Sequence, residues 1–344
     1  MKSFILKWAR RIGLGVLGLV MLTAIAGATY EFNGRRRAAR DFPPPGKLID
    51  IGGRRIQLDC RGSGTPTVVF ESGLDMAGSL SWSGVHDSIS KTTRACAYSR
   101  AGIMWSDPSD GPQTATTIAA DLHATLAKAG EHAPYVLVGH SLGGPYIVTY
   151  TKNYGAEVAG LVFVDASHPD QVRHQKEYTS VNLASSMRPY KLAAALAPFG
   201  LVRFATRSPQ DSAQKESSDE RAKSAYTSTS LRAMLKESDG LDQSLAASGT
   251  FRTLGDRPLF VLTAGAPRSK EELDAMKLTP ETGRRYQAMW DSLQNDEASW
   301  SSRSQHVIVP DATHYIQFDR PEVVTRAIRS VVYSVRACCG RSVK

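Results

Sequence analysis

From Lys47 onward, short runs of β-branched and aromatic residues alternate with longer stretches in which apolar residues recur every three or four positions. The runs KLIDIGG and RRIQLDCRG, parted by Gly52 and Gly53, predict a β-hairpin, and PTVVFESG, TRACAYSR, YVLVGHS, VAGLVFVDAS, RPLFVLTAG and HVIVPDA predict strands. Helices are predicted between them, from Trp82 to Lys91, from Thr117 to Ala129, from Leu142, from Glu271 to Gln294 and after Pro321. Strands alternating with helices behind an opening hairpin predict an α/β architecture, a mostly parallel sheet with helices on both faces. The rhythm breaks between about Ser167 and Thr253, where no strand pattern appears. That segment is rich in Ser, Ala, Arg and Lys, carries apolar patches such as KLAAALAPFGLVRF, and reads as a helical cap inserted after the sixth strand.

Ahead of the hairpin the pattern is different in kind. From Ile12 to Tyr30 no residue is charged, and a membrane span needs roughly 20 such residues. A cleaved signal peptide is the rival reading, since a basic start and small residues at Ala24, Ala26 and Ala28 fit it. The anchor is preferred because the run is longer than the roughly 7–15 apolar residues of a signal. Residues 31–45 turn basic and then Pro-rich (FPPPG), which reads as a semi-rigid linker. The expected division is an anchor or signal over 1–30, a linker over 31–45 and a domain over 46–337 with its cap at about 167–253.

Charge refines this picture. The formal net charge is +9, but the first 40 residues hold eight basic residues and one acid, Glu31, and so carry about +7 of it. The rest of the chain is nearly neutral and offers no broad phosphate-binding face, so nucleic acid is not an expected partner. Basic residues beside an apolar segment suit lipid head groups instead. They flank the segment equally, four before and four after, so they do not orient it. The four cysteines, Cys60, Cys96, Cys338 and Cys339, lack the paired Cys and His spacing of a zinc site; neither a metal nor another cofactor is implied.

One motif carries chemistry. At Gly139-His140-Ser141-Leu142-Gly143 a buried strand runs straight into a predicted helix, and glycines flank a serine at the turn. Such a turn lifts the hydroxyl clear of the sheet, and Pro145 falls in the first helical turn, where its missing N–H does no harm.

With this motif in place, VVFESGLD, YSRAGIMWSD, YVLVGHSLGG, FVDASHPDQ and THYIQFDRPE, in that order, resemble the corresponding segments of α/β-hydrolase-fold serine hydrolases, over about Lys47 to Val335. The resemblance implies an α/β-hydrolase fold of eight strands in the order 1-2-4-3-5-6-7-8, a nucleophile elbow after strand five and a triad in the order Ser, acid, His. A serine hydroxyl needs a base oriented by a third group. Ser141 is then the nucleophile and His314, after the last strand, the base; His140 is the variable elbow position, and His86, His123, His132, His168, His174 and His306 lack a motif. The acid follows strand six or strand seven. Asp165, at the end of LVFVDAS, is preferred over Glu271, Glu272 and Asp274, which look like the start of a helix. The resemblance implies oxyanion donors at the backbone of Leu142 and Leu74, although Ser72 replaces the family's His. Ser99 and Ile103-Met104 also depart from its pattern.

In that strand order Cys60 and Cys96 lie on neighbouring strands, either bonded or as reduced packing residues; a bond would favour an oxidising compartment. The expected function is hydrolysis of an ester-like bond in a small lipophilic substrate, carboxylesterase-like or lipase-like, by a membrane-anchored domain facing the periplasm or exterior. The alternatives are secretion after signal cleavage, an acyltransferase or carbon-carbon bond hydrolase on the same scaffold, and a noncatalytic binding protein.

Overall fold

The computed structural model describes residues 2–206 and 217–339. Its centre is one sheet in the order β1-β2-β4-β3-β5-β6-β7-β8. The strands are β1 (Lys47–Asp50), β2 (Arg55–Arg61), β3 (Thr67–Glu71), β4 (Ala95–Ser99), β5 (Tyr135–His140), β6 (Val158–Val164), β7 (Leu259–Ala264) and β8 (Ser304–Val309). Only β1/β2 and β2/β4 pair antiparallel; the remaining pairs are parallel. This is the α/β-hydrolase fold. Every residue of β3, β4 and β5 is buried, which explains why these strands read as unbroken apolar runs: both of their faces are covered.

Two layers do the covering. On one face Leu122 and Leu126 of α3 (Ala115–Ala129) and Ile147 and Tyr150 of α4 (Gly143–Asn153) pack against Val69, Leu137 and Phe163. On the other, Val85 and Ile89 of α2 (Ser83–Ser90) and Val324, Ile328 and Val331 of the helix Pro321–Cys339 pack against Val68, Val136 and Val162. Cys60 and Cys96 face one another in the β2/β4 register with Cα atoms 4.0 Å apart and are joined by a disulfide.

The cap lies between β6 and β7 and, among the described residues, is built from helices joined by turns and loops. It comprises α5 (Gln171–Gln175), α6 (Leu183–Ser186), α7 (Arg188–Leu196), α8 (Leu201–Thr206), α9 (Ser218–Asp239) and α10 (Leu241–Gly249). After β7 come α11 (Lys270–Met276) and α12 (Pro280–Ser299), then α13 (Ile316–Asp319) and α14 (Pro321–Cys339) after β8. The single helix expected from Glu271 to Gln294 is therefore two. Lys277 closes the first in a left-handed conformation, and Thr279 caps the second with Pro280 at its first position.

A second correction concerns the start of the chain. The helix α1 runs unbroken from Lys2 to Asp41, so most of the stretch read as a linker is helical, and only the FPPPG segment before β1 interrupts it. Tertiary packing accounts for this. Ala24, Gly27, Glu31, Gly34 and Ala38, spaced three and four apart, are the covered positions on one side of α1, and that side contacts α8, α9 and the 3-10 turn Ala197–Phe199 of the cap.

Candidate active site

The carboxyl ends of β5 and β6 and the loop after β8 converge on one point. β5 must turn into α4 within three residues, and the backbone manages it by putting Ser141 at φ +51°, a region that residues with a Cβ seldom occupy. The crossing is so close that a Cβ on Gly143 would lie 2.5 Å from the carbonyl oxygen of Glu71. Asp165, at φ +44°, follows β6 directly. Its Oδ2 lies 2.6 Å from His314 Nδ1, while its Oδ1 accepts from the Ala264 N–H and from Trp290 Nε1–H, each at 2.9 Å. Asp165 is buried and His314 half-exposed, so the carboxylate is fixed by donors on three sides and the imidazole keeps an open face.

The rival acids are occupied elsewhere. Glu272 and Ser269 form a reciprocal capping box at the start of α11, and Asp274 pairs with Lys270 at the surface. Glu271 is exposed in the same first turn.

Two cavities open beside Ser141. One, of about 370 Å³, is lined by Asp165, His314, Trp290, Tyr286, Arg268 and Gln175. The other, of about 700 Å³, extends beneath the cap; Leu74, Leu142, Val172, Leu241 and Met276 supply its apolar wall, and Asn182, Ser186 and Asp239 part of its polar one. The cap's apolar patch is not among these walls: Leu192, Leu196, Phe199 and Leu201 face outward.

Leu74 and Leu142 thus border the same cavity as Ser141. A Cβ on Gly73 would come within 2.9 Å of Ser141 Cβ, so the turn after β3 runs against the serine. The Gly73 carbonyl accepts from Arg100 Nη2 at 2.6 Å. Across a trans peptide the following N–H points the opposite way, so Arg100 sets the direction of the Leu74 donor.

Arg100 is the part of the site that sequence reasoning missed. It is fully buried and held by Glu71 of β3 and Glu237 of α9, each at 2.8 Å, and it also donates to the Ser72 carbonyl and hydroxyl. Burial pushes the Glu71 carboxyl up to about 7 against the pull of Arg100, and it raises Glu237 as well. Burial also works against the Arg100 charge, but the two carboxylates overcome it and hold the guanidinium well above its ordinary range. The one available signal was an arginine inside the otherwise uncharged run ACAYSRAG. Trp290 gave none, lying 125 residues from the aspartate it touches.

His140, the variable position of the elbow, is buried and in contact with His314. Its Nε2 lies 2.9 Å from the His314 carbonyl oxygen, and the two rings are 4.7 Å apart. Burial, and then the nearby His314, pulls its pKa down to about 3, so the ring is neutral, with its proton on the nitrogen that donates to that carbonyl. The opposite nitrogen, Nδ1, is buried with no partner among the described residues. Of possible metal ligands, Cys60, Cys96 and Glu131 cluster within reach of one another, but the two sulfurs are committed to the disulfide.

Comparison with known proteins places this geometry. The profile described as "Alpha/beta hydrolase family" matches residues 32–327. The "Probable transporter efuK" of Hormonema carpetanum is 39% identical over 130 residues, which cover 35% of this chain and 18% of that protein. The uncharacterized protein YbdG of Bacillus subtilis (strain 168) is 25% identical over 166 residues, 48% of this chain and 51% of that one. The chain therefore spans about half or less of the length of these relatives. A thermophilic esterase from Thermogutta terrifontis superposes with a TM-score of 0.59 at 19% identity, covering 84% of this chain and 98% of that one.

Proposed function

This chain belongs to the alpha/beta hydrolase family, and on that premise we propose that it is a serine hydrolase cleaving carboxylic esters of lipophilic substrates. The contact that carries the reading is His314 Nδ1 against Asp165 Oδ2 at 2.6 Å, beside the strained turn that exposes Ser141. Asp165 fixes the tautomer that leaves His314 Nε2 free to accept a proton. Ser141 Oγ then attacks the ester carbonyl as its proton passes to Nε2, and the Leu74 and Leu142 N–H groups take up the charge developing on the carbonyl oxygen. Collapse of that intermediate releases the alcohol with the proton from His314 and leaves an acyl-Ser141 ester. Water, deprotonated by the same imidazole, hydrolyses it and returns the serine.

The choice of ester bonds is supported by the apolar wall of the larger cavity and by likeness of fold to an esterase. We read α1 as a membrane anchor, because its apolar stretch is long enough to cross a bilayer and is unburied, while its second half is built into the cap. The Cys60–Cys96 disulfide favours a domain outside the cytoplasm.

The test uses the full chain in detergent with a fluorophosphonate probe and p-nitrophenyl esters of increasing chain length. Probe mapped to Ser141 and a turnover optimum beyond acetate are the expected results. A protein left untagged and inert toward every ester would be a binding scaffold.

A further inference from the structure

The most apolar part of the cap is turned away from the site. Tyr190, Leu192 and Leu196 of α7, Phe199 in the turn that follows and Leu201 at the start of α8 are 37–64% exposed. Isolated exposed leucines need no explanation, but five large apolar side chains within twelve residues form a patch that water covers at a cost.

The position of α1 says what covers it. The helix stands clear of the domain through Thr23 and first closes on the cap at Gly27, where a Cβ would lie 2.3 Å from the Phe199 carbonyl oxygen. Gly200 reciprocates, its own Cβ position falling 2.8 Å from the Gly27 carbonyl oxygen and from the Tyr30 ring. One turn further, the helix becomes polar. Glu31 is buried between Arg203, Arg35 and the Ser228 hydroxyl, each at 2.8 Å. Arg36 and Arg37 follow, both exposed. The level at which α1 changes from apolar to charged, between Gly27 and Glu31, is thus the level of Phe199. A bilayer that takes up Ile12–Tyr30 brings its head-group boundary within about one helical turn, roughly 5 Å, of that residue.

We propose that the α7–α8 face of the cap rests on the bilayer that α1 spans, with Tyr190, Leu192, Leu196, Phe199 and Leu201 immersed at the boundary between head groups and acyl chains. This rests on the reading of α1 as a membrane-spanning helix. α1 and the patch then form one continuous lipid-facing surface, the helix running into the bilayer and the patch seated on it. Asn182 and Ser186, at the cap end of the larger cavity, lie just ahead of α7, so the cavity rim adjoins the leaflet. The substrate class that fits is an ester whose acyl chain is held in the membrane.

The test places a polarity-sensitive fluorophore at single cysteines in the full chain carrying Cys338→Ser and Cys339→Ser. The positions are Leu192→Cys and Phe199→Cys on the patch, Leu17→Cys on α1, and Ser302→Cys at the end of the sheet remote from the cap. Each protein, checked for an unchanged melting transition, is reconstituted into vesicles of equal parts phosphatidylcholine and phosphatidylglycerol with brominated acyl chains. Labels at 192 and 199 are expected to be quenched at least about twofold, as for groups held 5–10 Å into the interface, together with 17 and unlike 302. If 17 is quenched while 192 and 199 behave like 302, the cap stands clear of the membrane and the inference falls, with the anchor intact. Quenching at none of the positions removes the anchor and the inference together. Blue-shifted but unquenched labels at 192 and 199 would assign the patch to a second copy of the chain and overturn the proposal.

Discussion

On the sheet side of the site, Ser141 and Asp165 hang from the ends of β5 and β6, strands whose registers are set by buried apolar runs, and His314 follows β8, the partly exposed edge strand paired to β7. On the cap side, α9 is joined to the rest of the protein by three buried polar contacts: Ser228 to Glu31, Ser230 to the Met104 N–H, and Glu237 to Arg100. The sheet tolerates exchange of one aliphatic side chain for another at modest cost, because burial is nondirectional. The cap joint has less tolerance, since buried polar groups such as Glu31 and Arg100 depend on particular partners placed at hydrogen-bond distance. Chemistry is thus placed by the generic half of the molecule, and the turn bearing Leu74 by the specific half.

The largest effect is expected on the sheet side. Ser141→Ala should lower ester turnover about 10⁶-fold, by analogy with an unrelated serine protease, while the melting transition stays put. Unchanged turnover would sink the mechanism. Next comes Asp165→Asn, expected to cost on the order of 10⁴ in kcat through the wrong His314 tautomer; Glu271→Gln and Glu272→Gln should leave kcat nearly untouched, and the reverse ranking would move the acid to the α11 start.

On the cap side the expected currency is stability. Arg100→Met leaves two buried carboxylates facing each other and should cost about 3–5 kcal/mol in urea unfolding, much of it recovered when Glu71→Gln and Glu237→Gln are added. A loss no larger than that of a surface substitution would mean that charge does not hold the cap. The smallest effect concerns His140. Its folded pKa of about 3 lies below the ordinary histidine value, so between those limits the unfolded chain binds more protons, and acid weakens the native protein by at most about 1.4 kcal/mol per pH unit. His140→Gln removes that dependence, so the stability gap between it and the parent should narrow from pH 6.5 to pH 4; a constant gap would mean that the ring titrates normally.

What was legible in the sequence follows the same divide. The strands announce themselves because a run such as YVLVG, buried on both faces, has no polar alternation to confuse with a surface element. Ser141, Asp165 and His314 could be picked out because the first two directly follow strand ends and the third lies in the loop after the last strand, and the structure gathers all three around one cavity. Arg100 and Glu237, 137 residues apart, could not be paired by any local pattern, nor could Trp290 be assigned to Asp165. The apolar patch of the cap is visible in the sequence but its direction is not, because periodicity reports that a helix has an apolar side and not what lies against it. The helical continuation of α1 was hidden by its arginines, which read as linker until Glu31 is seen buried among them.

The placement of Ser228 and Glu237 on one helix bears on how such a protein can diversify. Nine residues, about 14 Å of helix, separate the residue that receives α1 from the residue that receives Arg100. A cap enters and leaves the sheet between β6 and β7, which makes it a natural unit to recombine between homologues. Here the transplant would have to match at two further points, a hydroxyl for Glu31 and a carboxylate for Arg100. A donor cap lacking the carboxylate would leave the buried Arg100 with Glu71 as its carboxylate partner, and one lacking both Ser228 and Arg203 would leave Glu31 with Arg35, so new specificities in this lineage are more accessible by point changes along the cavity wall than by exchange of the whole cap.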